Sequence, residues 1–470
     1  MKKLKYVLIS FVLFTSCIKG QESEQSSQIE YTKSILTKEI TRMIEETGIP
    51  SISIALIKED SIVWAEAFGY ANIKTKTPAT ISTTYSTGST VKPYMSMAIL
   101  QLVEKGIVDL DEPVNNYLKN PIPSFSENSK PITLRHLLSH QSGIPASAVF
   151  VPLWGNQRTT LEEIASSIKP VREPEIAYEY CNDGFVISAL VIENQTGKKY
   201  GDYINENILK PLGLENLNFA IPTPEVIEEM ALPYRLVYNK ALPTDQIYSF
   251  PYPAGGLTYM TPSQMSRFLI THLNNGFYKK NQLLNSELME QFRETSFGHE
   301  YYGLGIAVEK KNNYTYLSHN GQDVYSSSFI INLNLKTGIY VMANAESFHQ
   351  MESLAQLASE LMEGKRDLKP LPSFAKKEYK ETELVVSEVD KYVGTYKIEG
   401  TEFNLTILEK EEKLYLKNPA NAEYEILPFE KGKFFLKTEE EQIEFTKEKN
   451  VVSGMILYSN GNEIKAKRTN

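Results

Sequence analysis

The chain has 470 residues, 41% apolar and 23% charged, a globular composition at a length beyond one ordinary domain. Its 49 basic and 58 acidic residues give a formal net charge of −9, which excludes nucleic acid as the principal partner, because such binding needs a basic face. With two cysteines, Cys17 and Cys181, there is no disulfide framework, and stability must come from the core.

The N-terminal stretch MKKLKYVLISFVLFTSC places lysines before an apolar run and small residues before Cys17, the layout of a secretory signal over 1–16. Phe14-Thr15-Ser16-Cys17 resembles a bacterial lipoprotein box with Phe in place of the usual Leu. It implies lipidation of Cys17, export, and attachment to the periplasmic or outer face of a bacterial envelope. Plain secretion with an incidental cysteine is the alternative. The polar run after Cys17 reads as a tether over 17–32.

A domain over 33–365 follows. SILTKEITRMIEET carries apolar residues at helical spacing, and SISIALI and SIVWAEAFG alternate as two strands around a short turn. An apolar helix is expected from near Ser89 to Glu104, then a mostly helical stretch to Ala231. The strands SSSFIINL and GIYVMAN and the closing amphipathic helix QMESLAQLASELMEG come last. This order predicts an α+β fold, an antiparallel sheet flanked by helices with an all-helical subdomain. A charged, proline-containing linker spans 366–383. From 384 to 470, seven short alternating runs from YVGTYKI to SGMILYS predict a small antiparallel β-barrel or sandwich, with Asn460-Gly461 as a hairpin turn.

Three places could carry chemistry. Ser89 and Lys92 share one face of a helix start, where unpaired backbone N–H groups suit a developing oxyanion. A lysine activates a serine only when its pKa is lowered. Ser-x-x-Lys also occurs at Ser16, Ser166 and Ser373, but only Ser89 opens a long apolar helix. Tyr180-Cys181-Asn182 precedes another apolar helix. There a phenol near an ammonium can relay a proton and an amide can bind a carbonyl. Tyr-x-Asn is common elsewhere in the chain, so alone it reads as structural. His319-Asn320-Gly321 enters a strand, where Gly321 would let a substrate backbone come close. His136 and His140 have zinc-compatible spacing but lack an intervening Glu and an obvious third ligand, so no metal is expected. Cys181 reads as packing.

In order and context these motifs, with PITLRHLLSHQSGIP and YPAGGLTYMTPSQMSRFL, resemble the serine β-lactamase-like superfamily over roughly 35–362. That superfamily includes class C β-lactamases, low-molecular-weight penicillin-binding proteins, D-aminopeptidases and esterases. The resemblance implies an acyl-enzyme hydrolase without cofactor, acting on a small peptide, β-lactam or ester. Ser89 would be the nucleophile, Lys92 its partner and Tyr180 the proton relay, with Asn182 beside it. His319, Asn320 and Gly321 would form the third motif, and the N–H groups of Ser89 and Gln322 the oxyanion hole. It implies a lipocalin-like character for the C-terminal module. A non-catalytic peptidoglycan- or glycan-binding lipoprotein retaining the fold is the rival reading, and three intact catalytic residues speak against it.

Lys336-Thr337-Gly338 spells the third signature of penicillin-recognising enzymes, yet it lies between two strands. The expectation is a hairpin turn with Gly338 at positive φ, while His319 holds the motif's place. A neutral histidine there in place of a permanent cation implies D,D-peptidase- or esterase-like activity over efficient β-lactam turnover.

Overall fold

The computed structural model describes residues 26–145, 160–219, 222–244, 258–376, 379–382, 386–419, 421–459 and 462–469. Cys17 and the Asn460-Gly461 turn lie outside these. Two compact units are present. The first takes its residues from Met1–Glu45, Ile49–Tyr234 and Pro243–Ser373, and the second from Glu46–Gly48, Arg235–Leu242 and Phe374–Asn470.

The first unit is built on a seven-stranded antiparallel sheet. Its order is Ala307–Lys311, Tyr314–Gln322, Ser326–Asn332, Thr337–Ala343, Ser51–Lys58, Ser61–Asn72 and Thr77–Pro78. The central strand Thr337–Ala343 is buried along its whole length. Its side chains alternate between faces, as strand geometry requires. Tyr340 and Met342 join the cluster that holds Met265 and Phe268 of helix Pro262–Leu273. Ile339 and Val341, also buried, must point to the other face. Each such aliphatic side chain is worth roughly 1.5–3 kcal/mol of burial, which is why this strand reads as an unbroken apolar run. Helix Phe348–Met362 packs on the same strand and on Ser326–Asn332.

Between Leu134 and Glu228 the chain forms short helices around one long helix, Asp183–Thr196, which packs on helix Lys92–Glu104. From Lys92 to Leu102 the latter is buried on every side, so it shows no polar face. The N-terminal helix covers residues 26–47, so 26–32 are helical and not tether. Thr32 is buried there, and Gln28 Nε2 donates to the Leu361 carbonyl at 2.6 Å, contacts that a solvated tether would not make.

The second unit is a closed eight-stranded antiparallel barrel running from Gly394–Ile398 to Asn462–Arg468, and these two strands pair to close it. Alternate residues such as Leu414, Leu416, Ile443 and Phe445 fill its core. The eighth strand, Asn462–Arg468, was not among the runs expected from sequence. Of its residues only Ala466 is buried, so it shows almost no apolar alternation. This unit also includes Arg235–Leu242, where Val237 and Tyr238 cluster with Phe435, and Tyr379 from the expected linker packs against them.

Candidate active site

Helix Lys92–Glu104 is preceded by a tight 3-10 turn, Gly88–Val91, so Ser89 sits one turn ahead of the α-helix expected to begin with it. In a 3-10 turn, residues i and i+3 eclipse one another. Lys92 Nζ accordingly lies 2.8 Å from Ser89 Oγ. Lys92 is fully buried, and Nζ also donates to Asn182 Oδ1 at 2.7 Å. Desolvation holds the Lys92 pKa well below the usual lysine range. Ser89 itself is partly open to solvent.

Asn182 occupies the N-cap position of helix Asp183–Thr196 but makes no capping bond, because its amide is directed at Lys92. An unused cap of this kind forgoes about 1 kcal/mol, a cost expected where a side chain is committed to a site instead. Tyr180, two residues earlier, lays its ring 4.3 Å from the His140 ring and 4.8 Å from Lys92 Nζ. Burial of its hydroxyl pushes the phenol pKa up, while the nearby Ser89 hydroxyl pulls it partly back. The hydroxyl makes no aligned hydrogen bond among the described residues and is available to an incoming group.

Two glycines let the backbones of Ser89 and Gln322 come close. Gly88 has φ +52, and a Cβ there would lie 2.7 Å from the Gln322 nitrogen. A Cβ on Gly321 would lie 2.3 Å from the Thr87 oxygen and 3.0 Å from the Ser89 nitrogen. Only with both side chains absent can the strand end and the turn approach until the N–H groups of Ser89 and Gln322 neighbour one another. Below them, Ser86 Oγ donates to Asp323 Oδ2 at 2.5 Å, and the Tyr325 N–H donates to Asp323 Oδ1 at 2.6 Å. The first bond ties the segment after Gln322 to the segment before Ser89, and the second holds the Asp323 carboxylate in place.

Strand Tyr314–Gln322 sends Leu317, His319 and Gly321 to the buried, Ser89-bearing face. Asn320 points the other way, donating to Glu352 Oε1 at 2.9 Å and accepting from Ser328 Oγ at 2.7 Å. Of the sequence-selected residues described, Asn320 is therefore the one not brought to the site, because consecutive strand residues face opposite sides.

Lys336 is an exposed turn residue with φ 50, between strands paired as Asn332 with Thr337. The hairpin reading holds, but its assignment of positive φ to Gly338 is corrected. Gly338 lies in the strand, and a Cβ there would meet Ile331 Cγ2 at 2.7 Å and Ile57 Cδ1 at 3.1 Å. Crowding by neighbouring strands, and not turn geometry, requires the glycine.

Two site residues escaped the sequence reading. His140, considered only as a metal ligand, accepts the Cys181 N–H at Nδ1 (3.0 Å) and packs against Tyr180, Phe185 and Tyr302. Tyr302 bonds His319 Nε2 at 2.8 Å. Both come from loops, where no periodicity marks them. His136 is engaged in a capping box with Thr133 and lies 3.2 Å from Glu175 Oε1. Cys181 is buried, and burial pushes its thiol up to about 12, as suits a packing residue.

The family called Beta-lactamase matches residues 36–361, more than half of the chain. The chain belongs to this family. Its members are serine hydrolases. Penicillin-binding protein 4* of Bacillus subtilis is 24% identical over 447 residues, 87% of this chain and 92% of that protein. Among solved structures, an octameric penicillin-binding protein homologue from Pyrococcus abyssi superposes with a TM-score of 0.62 at 24% identity, covering 92% of this chain and 99% of that one. D-amino acid amidase from Ochrobactrum anthropi SV3 gives 0.61 at 20% identity, covering 72% of this chain and all of its own. These likenesses bear on the fold, a β-lactamase-like sheet with helices and a C-terminal barrel.

Proposed function

We propose that this β-lactamase-family chain cleaves peptide, amide or ester bonds of small substrates through an acyl-enzyme on Ser89. The supporting observation is the 2.8 Å approach of Ser89 Oγ to a lysine that is fully buried and held by Asn182. A neutral Lys92 keeps one N–H on Asn182 while its lone pair takes the Ser89 hydroxyl proton. Oγ then attacks the carbonyl, and the oxygen that becomes negative sits between the Ser89 and Gln322 N–H groups. Such donors contribute about 3–4 kcal/mol each to the transition state. Tyr180, kept neutral by burial, donates to the leaving group and is restored by the proton from Lys92. Water then attacks the ester by the same route reversed and frees the acid and Ser89.

Peptide or amide substrates are favoured over β-lactams because histidine, not lysine, holds the third motif. The names of relatives support that range, a D-amino acid amidase among them. The chain is further proposed to act outside the cytoplasm, tethered by lipid on Cys17. Among the described residues no helix is long and apolar enough to cross a membrane.

Labelling with a fluorophosphonate followed by peptide mapping tests the reading. A single adduct on Ser89, absent in Ser89→Ala, is expected, and an adduct on Ser166 or Ser373 would overturn it. For the anchor, the parent should pellet with membranes and Cys17→Ser should be soluble; a soluble parent refutes the tether.

A further inference from the structure

The histidine of the third motif has both ring nitrogens occupied. His319 Nδ1 lies 2.6 Å from the Asn320 carbonyl oxygen. A carbonyl only accepts, so Nδ1 carries the proton. In a neutral ring Nε2 is then bare, and at 2.8 Å the Tyr302 hydroxyl donates to it. Both residues are buried, His319 at 7% exposure and Tyr302 at 6%. Their partners are placed independently, one by the strand itself and the other by the segment before Ala307–Lys311, where Tyr302 is bridged to Ala307.

We infer that Tyr302 fixes His319 as a neutral ring with no N–H to offer, so that the subsite beside the oxyanion pair selects substrates uncharged there over those carrying a free carboxylate. This rests on the acyl-enzyme reading above and narrows its substrate class to esters, amides and internal peptide bonds.

The surroundings support it. Burial, with a smaller push from Lys92 whenever its amine is protonated, holds the His319 pKa down to about 3, so the ring stays neutral at working pH. Among the described residues, the titratable side chains whose rings face it are Tyr180 at 6.2 Å and Tyr302 at 5.9 Å, the latter in turn contacting His140 and Tyr178. Burial raises both Tyr302 and Tyr178 and lowers His140, so these groups are neutral as well. Lys92 is committed to Ser89 and Asn182. A carboxylate pressed against His319 would give up its water and find no free N–H on a ring whose two nitrogens are already engaged, and an unpaired buried charge is a strong basis for rejection.

The test uses two substrates that differ only in that charge, the thioester of benzoylglycine with thioglycolate and its methyl ester, with the released thiol measured. The full-length parent should favour the methyl ester by about tenfold or more in kcat/KM, as expected when a charge is left unpaired. Tyr302→Phe keeps the ring but uncovers Nε2, and a carboxylate bound against it raises the ring's pKa so that the pair can share a proton. The preference should shrink by about threefold, mainly through KM of the acid. His319→Lys should reverse it. In protein labelled with 15N-histidine, the His319 signal, assigned by its loss in His319→Asn, should show Nε2 unprotonated at pH 7, and Tyr302→Phe should shift it.

An equal or better rate on the acid, a protonated Nε2 in the parent, or a preference unmoved by both Tyr302→Phe and His319→Lys each overturns the inference. So does a parent that takes neither thioester while a fluorophosphonate still labels Ser89. Absence of that label would instead sink the underlying reading, with the ring signal still deciding the protonation of His319.

Discussion

Two lysines in this chain sit within signature letters, and only one is placed for chemistry. Lys92 follows a 3-10 turn, is wholly buried, and reaches Ser89 and Asn182. Lys336 stands exposed on a hairpin between two sheet strands. A lysine becomes a base when its surroundings remove water and leave it a partner, which turns a charge into a lone pair. At Lys92 the sheet, helix Asp183–Thr196 and the turn do so together. Lys336 keeps its water.

The largest contrast is in turnover. Lys92→Ala should lower kcat by about a hundredfold or more, and Tyr180→Phe by a similar factor, the scale of lost acid–base assistance. Lys336→Ala should stay within about twofold of the parent, as for an exposed residue far from any special feature. A reversed result, with Lys336→Ala inactive and Lys92→Ala active, would return the third-motif role to the hairpin.

Acidity offers a second comparison. Lys92 must be neutral to accept the Ser89 proton, and its pKa is displaced downward by desolvation. The rate of Ser89 acylation should therefore rise with pH through a single ionisation below the ordinary lysine range and then level off. An acylation rate still climbing at the ordinary lysine pKa, about 10.4, would mean that the amine is not desolvated in solution.

The glycines give a third. Gly321→Ala forces a Cβ to 2.3 Å from the Thr87 oxygen, which pushes the turn away from the strand and separates the two N–H groups. A loss of about 10²–10³ in kcat per folded molecule is expected, as for a missing oxyanion donor. Gly338→Ala meets side-chain carbons, so it should lower the melting temperature while leaving kcat per folded molecule near the parent's. Equal losses of kcat in the two variants would remove the distinction between them.

These contrasts also mark what was legible in the sequence. Ser89, Lys92, Tyr180 and Asn182 could be found because they lie at or just before the starts of two apolar helices, and a helix start is a local pattern. Gly321 was recognised as a place of close approach, but what approaches it, the Thr87 backbone, is set by tertiary packing. The roles of Tyr302 and His140 could not be read because they arise only when loops far apart in the chain meet. The eighth barrel strand was hidden by its polarity, since Lys465 and Lys467 alternate with only one buried side chain, Ala466. Asn320 was misplaced by treating a three-letter motif as a unit when a strand splits it between two faces.

The smallest expected effect concerns Asp323, which links the segment after Gln322 to Ser86. Burial pushes its carboxyl up to about 6, although Ser86 and the Tyr325 N–H pull it back. Its folded pKa therefore stands above the unfolded value, so the native state holds the proton more tightly. This contribution to stability is fully present below the unfolded pKa, about 3.9. It is lost as pH rises to about 6. Asp323→Asn keeps an acceptor for Tyr325 and removes the titration. Its melting temperature should change less than the parent's between those two pH values and equal or exceed it above pH 6, by a few degrees at most. If the two proteins lost the same number of degrees across that window, the carboxyl would titrate normally, and the tie to Ser86 would be a surface contact with no part in holding the Ser89 and Gln322 backbones together.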